Sequence, residues 1–374
     1  MDRLDTLVIG GGILGCAAAL ALAQEGHDVV LREQANLAAG STAKAAGIVS
    51  TMTWCDDDYS LVAETRGLVG ELISLATGEG SRHVRGAWRP YDSITVAKGE
   101  AGLRHLDGVQ DRLERHTEEP ERLGWREAAA AFPGVVFEPG EEALVAQEDG
   151  VIEAGDLFDG IRTRLDAEGV EVQENAPVTS LADAPPAETT VVAGGAWTKP
   201  LLAEAGLPLP VQHFRTQAAS LQLEGSLKLP IVHDTVKGFY TRPESEGTTM
   251  AGDGTILRHH DVDDYDEAAS PDFRDSIAVR VVQRFERGAQ ALWRTGWAGL
   301  CVATPDRRPL CGPHPDRDGL FVLTGDNGFG LMRGFALGQR LADAVDGQVH
   351  SETDIARFWP DPSDDFEMQE GYGL

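Results

Sequence analysis

Thr6-Leu7-Val8-Ile9-Gly10-Gly11-Gly12-Ile13-Leu14-Gly15 is the stretch on which the fold turns. Leu7, Val8 and Ile9 form a short apolar run of the kind found in buried parallel strands. Gly10, Gly12 and Gly15 follow in G-x-G-x-x-G spacing and open an Ala/Leu-rich segment of high helix propensity. A second apolar run, Val29 to Leu31, ends at Glu33. Each part has a physical job in a dinucleotide site. Gly10 permits a tight turn, Gly12 lets the backbone approach a pyrophosphate, and Gly15 lets the helix pack on the strand. The helix N-terminus meets the phosphate charge. Glu33 is placed to accept hydrogen bonds from ribose hydroxyls, and an acid there disfavours a 2′-phosphate. A signal peptide or membrane span competes for Leu7 to Ala23, but acids dominate the residues before it and three glycines interrupt it.

Composition sets the outer limits. A chain of 374 residues can bury a large core and form two domains or one elaborate one. The 61 acids against 32 Lys and Arg give a formal net charge of −29, which repels nucleic acid and anionic membranes. The acids are spread along the chain and most basic residues are Arg, a balance that points to adaptation to high salt, where screening removes the self-repulsion. Cys16, Cys55, Cys301 and Cys311 show neither C-x-x-C spacing nor a zinc pattern, so no metal or disulfide framework is expected. No other stretch is long enough to cross a membrane, and the expected location is the cytoplasm.

After Glu33 the small-residue stretch Gly40-Ser-Thr-Ala-Lys-Ala-Ala-Gly47-Ile48 reads as a second wall of the same site. Helices are expected over Tyr59 to Ala76 and Leu103 to Ala131, with a strand at Tyr91 to Ala97. The βαβ logic resumes with a helix at Asp156 to Glu168 and strands at Val170 to Val172 and Thr189 to Ala193. Val178 begins a short segment toward Leu181, and Gly194-Gly195-Ala196-Trp197 closes the second of those strands. From Leu209 to Trp297 the chain alternates, with strands at Thr216 to Leu223, Gly238 to Arg242 and Thr248 to Ala251, then a helix over Asp272 to Trp293. This predicts an α+β domain inserted into an interrupted α/β one. Gly319 to Gly338 repeats strand, glycine loop and helix, and Gly325, Gly328 and Gly330 have the wrong spacing for a second dinucleotide site.

Together, Gly10-x-Gly12-x-x-Gly15 with Glu33, Gly40-Ser-Thr42, Val191 to Trp197, Thr304-Pro-Asp-Arg-Arg-Pro-Leu-Cys-Gly312 and Thr324 to Gly330 resemble the D-amino-acid-oxidase-like family of FAD amine oxidoreductases. The resemblance covers most of the chain. It implies an α/β Rossmann-type FAD-binding domain of glutathione-reductase-like topology with an inserted antiparallel-sheet substrate domain. The FAD domain would take residues 1–80, 146–210 and 301–374, and the substrate domain 81–145 and 211–300. Gly10, Gly12, Ile13, Leu14, Gly15, Glu33 and Gln34 would hold ADP, Ser41, Thr42 and Ala43 would lie by the pyrophosphate, and Val178 would meet adenine. Ala46, Gly47 and Ile48 would line the isoalloxazine, with Ala193, Gly194, Gly195 and Trp197 nearby. Gly325, Asn327, Gly328, Phe329, Gly330 and Leu331 would offer N–H groups and a helix dipole where the reduced ring gathers negative charge.

The implied reaction is hydride transfer from a carbon bearing nitrogen to flavin N5, giving an imine that water hydrolyses, with oxygen or a quinone-type carrier as electron acceptor. Tyr240 matches a substrate-facing position or is simply an aromatic packed in the sheet, and Arg242 and Arg307 could bind a carboxylate or lie at the surface. The chain departs from its relatives in three places: Cys301, Gly328 and Met332 stand where carboxylate-binding Arg or Lys residues are usual. Lys44 stands where histidine-linked relatives have the linking His, so noncovalent, dissociable FAD is expected. Oxidation of a 2-hydroxyacid is the alternative, with His213, His259 or His260 as the base it needs, as is a non-catalytic flavoprotein subunit.

Overall fold

In the computed structural model, residues 4–53, 55–75, 87–116, 118–147, 149–244, 247–259 and 261–368 are described. The opening apolar run forms the strand Leu4–Ile9, whose last four residues are buried because the sheet is covered on both faces. It pairs in parallel with Val29–Arg32 and Ala187–Val192, and these extend to Glu171–Gln173 on one side and Leu320–Thr324 on the other. Leu310–Pro313 adds an antiparallel edge to this six-stranded sheet. The helix Ile13–Gln24, buried from Ile13 to Leu22, lies on one face with the helix Gly330–Val345 packed along it. Val8, Leu31, Val191 and Leu323 close that core, and Leu7, Ile9, Val192 and Leu202 build the one on the opposite face.

The second sheet has nine strands. Gln212–Gln222 and Leu292–Ala303 form its long antiparallel pair, Leu257–His259 also pairs with Gln212–Gln222, and Thr248–Gly252, Phe239–Pro243, Ile231–Asp234, Ser93–Lys98, Glu141–Ala146 and Glu121–Gly124 follow in spatial order. Ser93–Lys98 runs parallel to Ile231–Asp234, the one parallel pairing among them. Period-two alternation splits the sheet's faces. Ile94, Val96, Val232, Phe239 and Ala251 pack against the helix Pro271–Arg284. Thr95, His233 and Tyr240 take the other face, whose far end is covered by the helix Gly99–Arg115 through Leu106, Val109 and Leu113. A small sheet of Ile48–Val49, Trp88–Pro90 and Gly150–Ile152 joins the two parts.

Two expected helices are shorter than the sequence suggested. The segment expected as one helix over Leu103 to Ala131 is the helix Gly99–Arg115, the strand Glu121–Gly124 and the helix Trp125–Ala131. Pro120 has no N–H for a helix, and Gly124 restarts one with the Glu127 carboxylate accepting from its N–H at 2.9 Å. The helix expected to reach Trp293 stops at Arg284, because Phe285 is extended (φ −120°, ψ 136°). Leu292–Ala303 is instead a strand whose charged and aromatic start hid its alternation, and it carries the second sheet past the expected boundary at residue 300. Val178 to Leu181 holds no strand.

A buried ion cluster fastens the second sheet. Arg284, Asp234 and Glu141 are fully buried. Arg284 Nε donates to Asp234 Oδ2 at 2.6 Å, while Nη1 and Nη2 donate to the two Glu141 oxygens at 2.9 and 3.0 Å.

Candidate active site

The cradle is made of backbone. Gly10 has φ +114°, and a Cβ there would overlap the Ala193 backbone. A Cβ on Gly15 would overlap the Gly10 carbonyl, so helix and strand can meet only through glycine. Gly11 N and Ala35 N donate to the two Glu33 carboxylate oxygens at 2.6 and 2.8 Å, which fixes the acid at the end of its strand. Ile13 N, a free donor at the helix start, donates to Thr42 Oγ1 at 3.1 Å. Ser41 Oγ donates to the Leu300 carbonyl at 2.5 Å, tying the cradle to the second sheet.

A cavity of about 750 Å³ runs from this cradle to the second sheet. Gly10, Gly12, Ile13, Leu14, Glu33, Gln34, Ser41, Thr42, Ala46, Gly47 and Ile48 line it, as do Val178, Ala193, Gly194, Gly195, Trp197, Asn327, Gly328, Phe329, Gly330 and Leu331. Gly15, Ala43 and Gly325 are not in its wall. Gly15 sits under the turn, and Gly325 (φ +74°) abuts the Thr304 methyl. The cavity fits FAD on its own terms: a wall without side chains at the turn, a helix start behind it, an acid at the strand end, and a second helix start at Gly330.

The closing glycine loop is braced by Asn327, at φ 53°. Its Nδ2 donates to the Gly325 carbonyl at 2.7 Å, and Thr304 N donates to its Oδ1 at 3.2 Å. Asp326 also lines the cavity; Gly328 N donates to its Oδ1 at 3.2 Å, and burial pushes its carboxyl up. Behind the loop Arg333, fully buried, lies 2.9 Å from Asp58, and burial drives both toward neutrality while each holds the other charged. Arg307 (φ 64°) lines the cavity beside them, its guanidinium drawn down by burial and opposed by the Asp58 charge.

Tyr240 lies flat over Gly252, its cross-strand neighbour, where any Cβ would overlap the phenol; burial holds its hydroxyl protonated. Arg242 does not follow it into the cavity. The Arg242 guanidinium is buried and Nη1 donates to Glu153 Oε1 at 3.1 Å, because the cavity ends before the next residue on that face. His213 and His259 line a separate side pocket of about 380 Å³ with Lys199 and Arg258, and His260 lies outside the described residues.

Among the lining residues that sequence reasoning passed over are Met52, Thr95, His105 and His233. A histidine inside the apolar strand Ile231–Asp234 was the available signal, masked by the absence of an expected strand there. The tail residues Phe366, Glu367 and Met368 also reach the wall, held by Gln212 Nε2 donating to the Asp364 and Phe366 carbonyls at 2.5 and 2.8 Å. Cys16 and Cys311 are buried packing residues, and Cys301 lines the cavity near Gly328. Among the described residues no group of three His, Cys, Asp or Glu could hold a metal ion, and no helix is long and apolar enough to cross a membrane.

A βαβ dinucleotide cradle opening into a cavity roofed by a second sheet defines a cofactor-dependent oxidoreductase. The family model described as "FAD dependent oxidoreductase" (DAO) matches residues 5–344, and the chain belongs to that family. It is 25% identical to the glycine oxidase of Geobacillus kaustophilus (strain HTA426) over 95% of this chain and 96% of that protein. It is 24% identical to the mitochondrial sarcosine dehydrogenase of Homo sapiens over 95% of this chain but only 41% of that protein. The crystal structure of L-proline dehydrogenase from P. horikoshii shares the fold, with a TM-score of 0.84 at 18% identity over 96% of this chain and 98% of that one.

Proposed function

We propose that this FAD-dependent enzyme oxidises a C–N bond of a small amine or amino acid to an imine, which water then hydrolyses. The observation that carries this reading is the single cavity in which the cradle, the closing glycine loop, Tyr240 and Arg307 all meet. The similar glycine oxidase and sarcosine dehydrogenase act, by their names, on such compounds. FAD, when bound, supplies the hydride acceptor.

The chain's own work is binding, orientation and field. Gly10, Gly12 and the start of the helix Ile13–Gln24 would hold the diphosphate, and Glu33 would hold the ribose. The N-terminus of Gly330–Val345, at the cavity wall, would supply N–H groups and a helix dipole to a flavin ring that gathers negative charge on reduction. Tyr240, held protonated, donates a hydrogen bond to substrate, and Arg307 supplies the carboxylate anchor in place of the cations missing at Cys301, Gly328 and Met332. The roof excludes water, and the substrate enters as the neutral amine, so no general base is required. FAD is dissociable, the acceptor is oxygen or a quinone-type carrier, and the acidic surface suits a salt-rich cytoplasm.

Anaerobic mixing tests the reading. Glycine, sarcosine, proline or another amino acid should bleach the flavin, and acid precipitation should leave a colourless pellet. Bleaching by 2-hydroxyacids alone would establish C–OH oxidation instead, and bleaching by neither would leave a non-catalytic flavoprotein.

A further inference from the structure

Among the described residues, none after Trp359 belongs to a hydrophobic core, yet this last segment reaches the main cavity. Phe366, Glu367 and Met368 line its wall, and Glu367 is exposed, which puts the segment at the cavity's mouth. The side pocket is its seat. Lys199, Gln212, Arg258 and His259 line that pocket together with Asp364 and Asp365 of the segment itself. Gln212 Nε2 donates to the Asp364 and Phe366 carbonyls, Arg258 Nη2 donates to the Phe366 carbonyl at 3.0 Å, and Lys199 Nζ donates to Asp364 Oδ2. The Lys199 ammonium holds the Asp364 carboxyl below the usual carboxylate range. All these contacts are polar, and Lys199 and Asp364 are 27% and 55% exposed. A segment held by exposed polar contacts, with no core of its own, comes away at small cost.

Its place along the sheet says what it covers. Gln212 and Ala218 lie on one strand, about 20 Å apart at the usual rise per residue. Ala218 is in register with Gly252, and Gly252 with Tyr240. Lys199 lies in the helix Thr198–Glu204, which follows directly on the cradle turn Gly195–Trp197. The segment therefore sits at the cofactor end of the cavity, away from Tyr240.

We propose that residues 364–368 are a strap that gates the entry and exit of FAD, latched into the side pocket by Lys199, Gln212 and Arg258. This deepens the reading of the cavity as a site for dissociable FAD and rests on it. A gate obeys a rule that a binding contact does not. Closed over the empty and the loaded cavity alike, it slows association and dissociation by the same factor and leaves the affinity unchanged. The latch also counters the charge of the chain. At a net charge of −29 the body repels an acidic segment, and Lys199 and Arg258 supply the local cations that hold it down.

The test measures both rates: association from quenching of flavin fluorescence by flavin-stripped protein, dissociation from chase of the holoenzyme with excess 5-deaza-FAD. Asp364→Lys sets a cation against Lys199 and Arg258 and should speed both by about threefold or more, with Kd unchanged within about twofold. Adding Lys199→Glu restores an opposite pair and the original net charge, and should return both rates toward wild type. Deleting residues 364–374 should speed both by about tenfold or more. Simple electrostatic steering would speed association and slow dissociation, so that pattern overturns the gate. Unchanged rates overturn it too, as does faster dissociation with association unchanged, which marks a wall contact to the cofactor. A readout without cofactor is the rate at which N-ethylmaleimide modifies Cys301, in the cavity wall. In flavin-free protein it should rise in Asp364→Lys and fall back in the double variant. A wild type that takes up no FAD but shows this labelling pattern overturns the flavin reading and leaves the strap standing.

Discussion

The two walls of the cavity are built by opposite means. The cradle is backbone with its side chains removed: Gly10 and Gly15 hold a turn and helix in contact that any Cβ would part. The roof is side chains presented by a sheet: Thr95, His233 and Tyr240 come from three separate strands and meet only because register aligns them. A backbone wall recognises what all its ligands share, a diphosphate and a ribose. A side-chain wall can be rewritten one residue at a time, so substrate choice is changed there without disturbing the cofactor.

That contrast is most sharply broken at Gly15. Gly15→Ala places a methyl into the Gly10 carbonyl, and relief requires moving helix Ile13–Gln24 off the strand. The expected cost is on the order of 3 kcal/mol or more, with flavin content of the purified protein falling to background. A Gly15→Ala protein with full flavin content and unchanged melting would show the cradle to be softer than its contacts imply.

The roof has its own rigid element in the Arg284 cluster. Arg284→Met leaves Asp234 and Glu141 buried without their cation and should cost about 3–5 kcal/mol in denaturant unfolding. Adding Glu141→Gln and Asp234→Asn should recover most of it. The cluster lies on the sheet face away from the cavity, so flavin content should survive in whatever protein folds. Loss of flavin from folded variant protein would mean the two walls are not separable.

His233 gives the roof a pH signature that the cradle lacks. Its folded pKa of about 4 lies below the 6.5 of the unfolded chain, so the unfolded state takes up the proton first. Its full contribution is present above pH 6.5 and is lost progressively as pH falls toward 4, amounting to about 2 kcal/mol by pH 5. His233→Gln should flatten the fall in melting temperature between pH 7 and 5. An unchanged slope would assign the acid sensitivity elsewhere, with half-buried His105 the next group to test.

The difference between the walls also explains what could be read in advance. A glycine cradle is local: turn, close approach and terminal acid lie within one stretch, from Gly10 to Glu33, and each has a physical reason legible in order. The interrupted βαβ sheet followed for the same reason, from Thr189 to Ala193 and Gly319 to Gly338. His233 and Thr95 are far apart in sequence and meet through a parallel pairing that nothing local specifies. Arg242 failed in the other direction. Period two placed it correctly on Tyr240's face, but alternation does not say where a cavity ends, and Glu153 takes the guanidinium. His213 and His259 likewise pair across their strands, in a side pocket apart from the main cavity.

The smallest predicted effect lies where the two walls touch. Ser41 and Thr42, expected at the pyrophosphate, line the cavity while their hydroxyls are spent within the protein: Thr42 Oγ1 accepts from Ile13 N, and Ser41 Oγ donates to Leu300 O. Thr42 therefore acts as a helix cap delivered from a distant loop. Thr42→Val keeps the volume and removes the acceptor, leaving Ile13 N unsatisfied at the start of a buried helix, a loss of about 1 kcal/mol by comparison with ordinary N-caps. Thr42→Ser should keep most of it. If the hydroxyl serves the cap alone, FAD should bind the Val variant with an affinity reduced only as far as the helix start is loosened, within about threefold by the usual scale of such couplings. A much larger drop in affinity, with unfolding free energy changed by no more than the cap, would mean that the hydroxyl leaves Ile13 for the diphosphate when cofactor arrives, and that this corner of the cradle reads its ligand with a side chain after all.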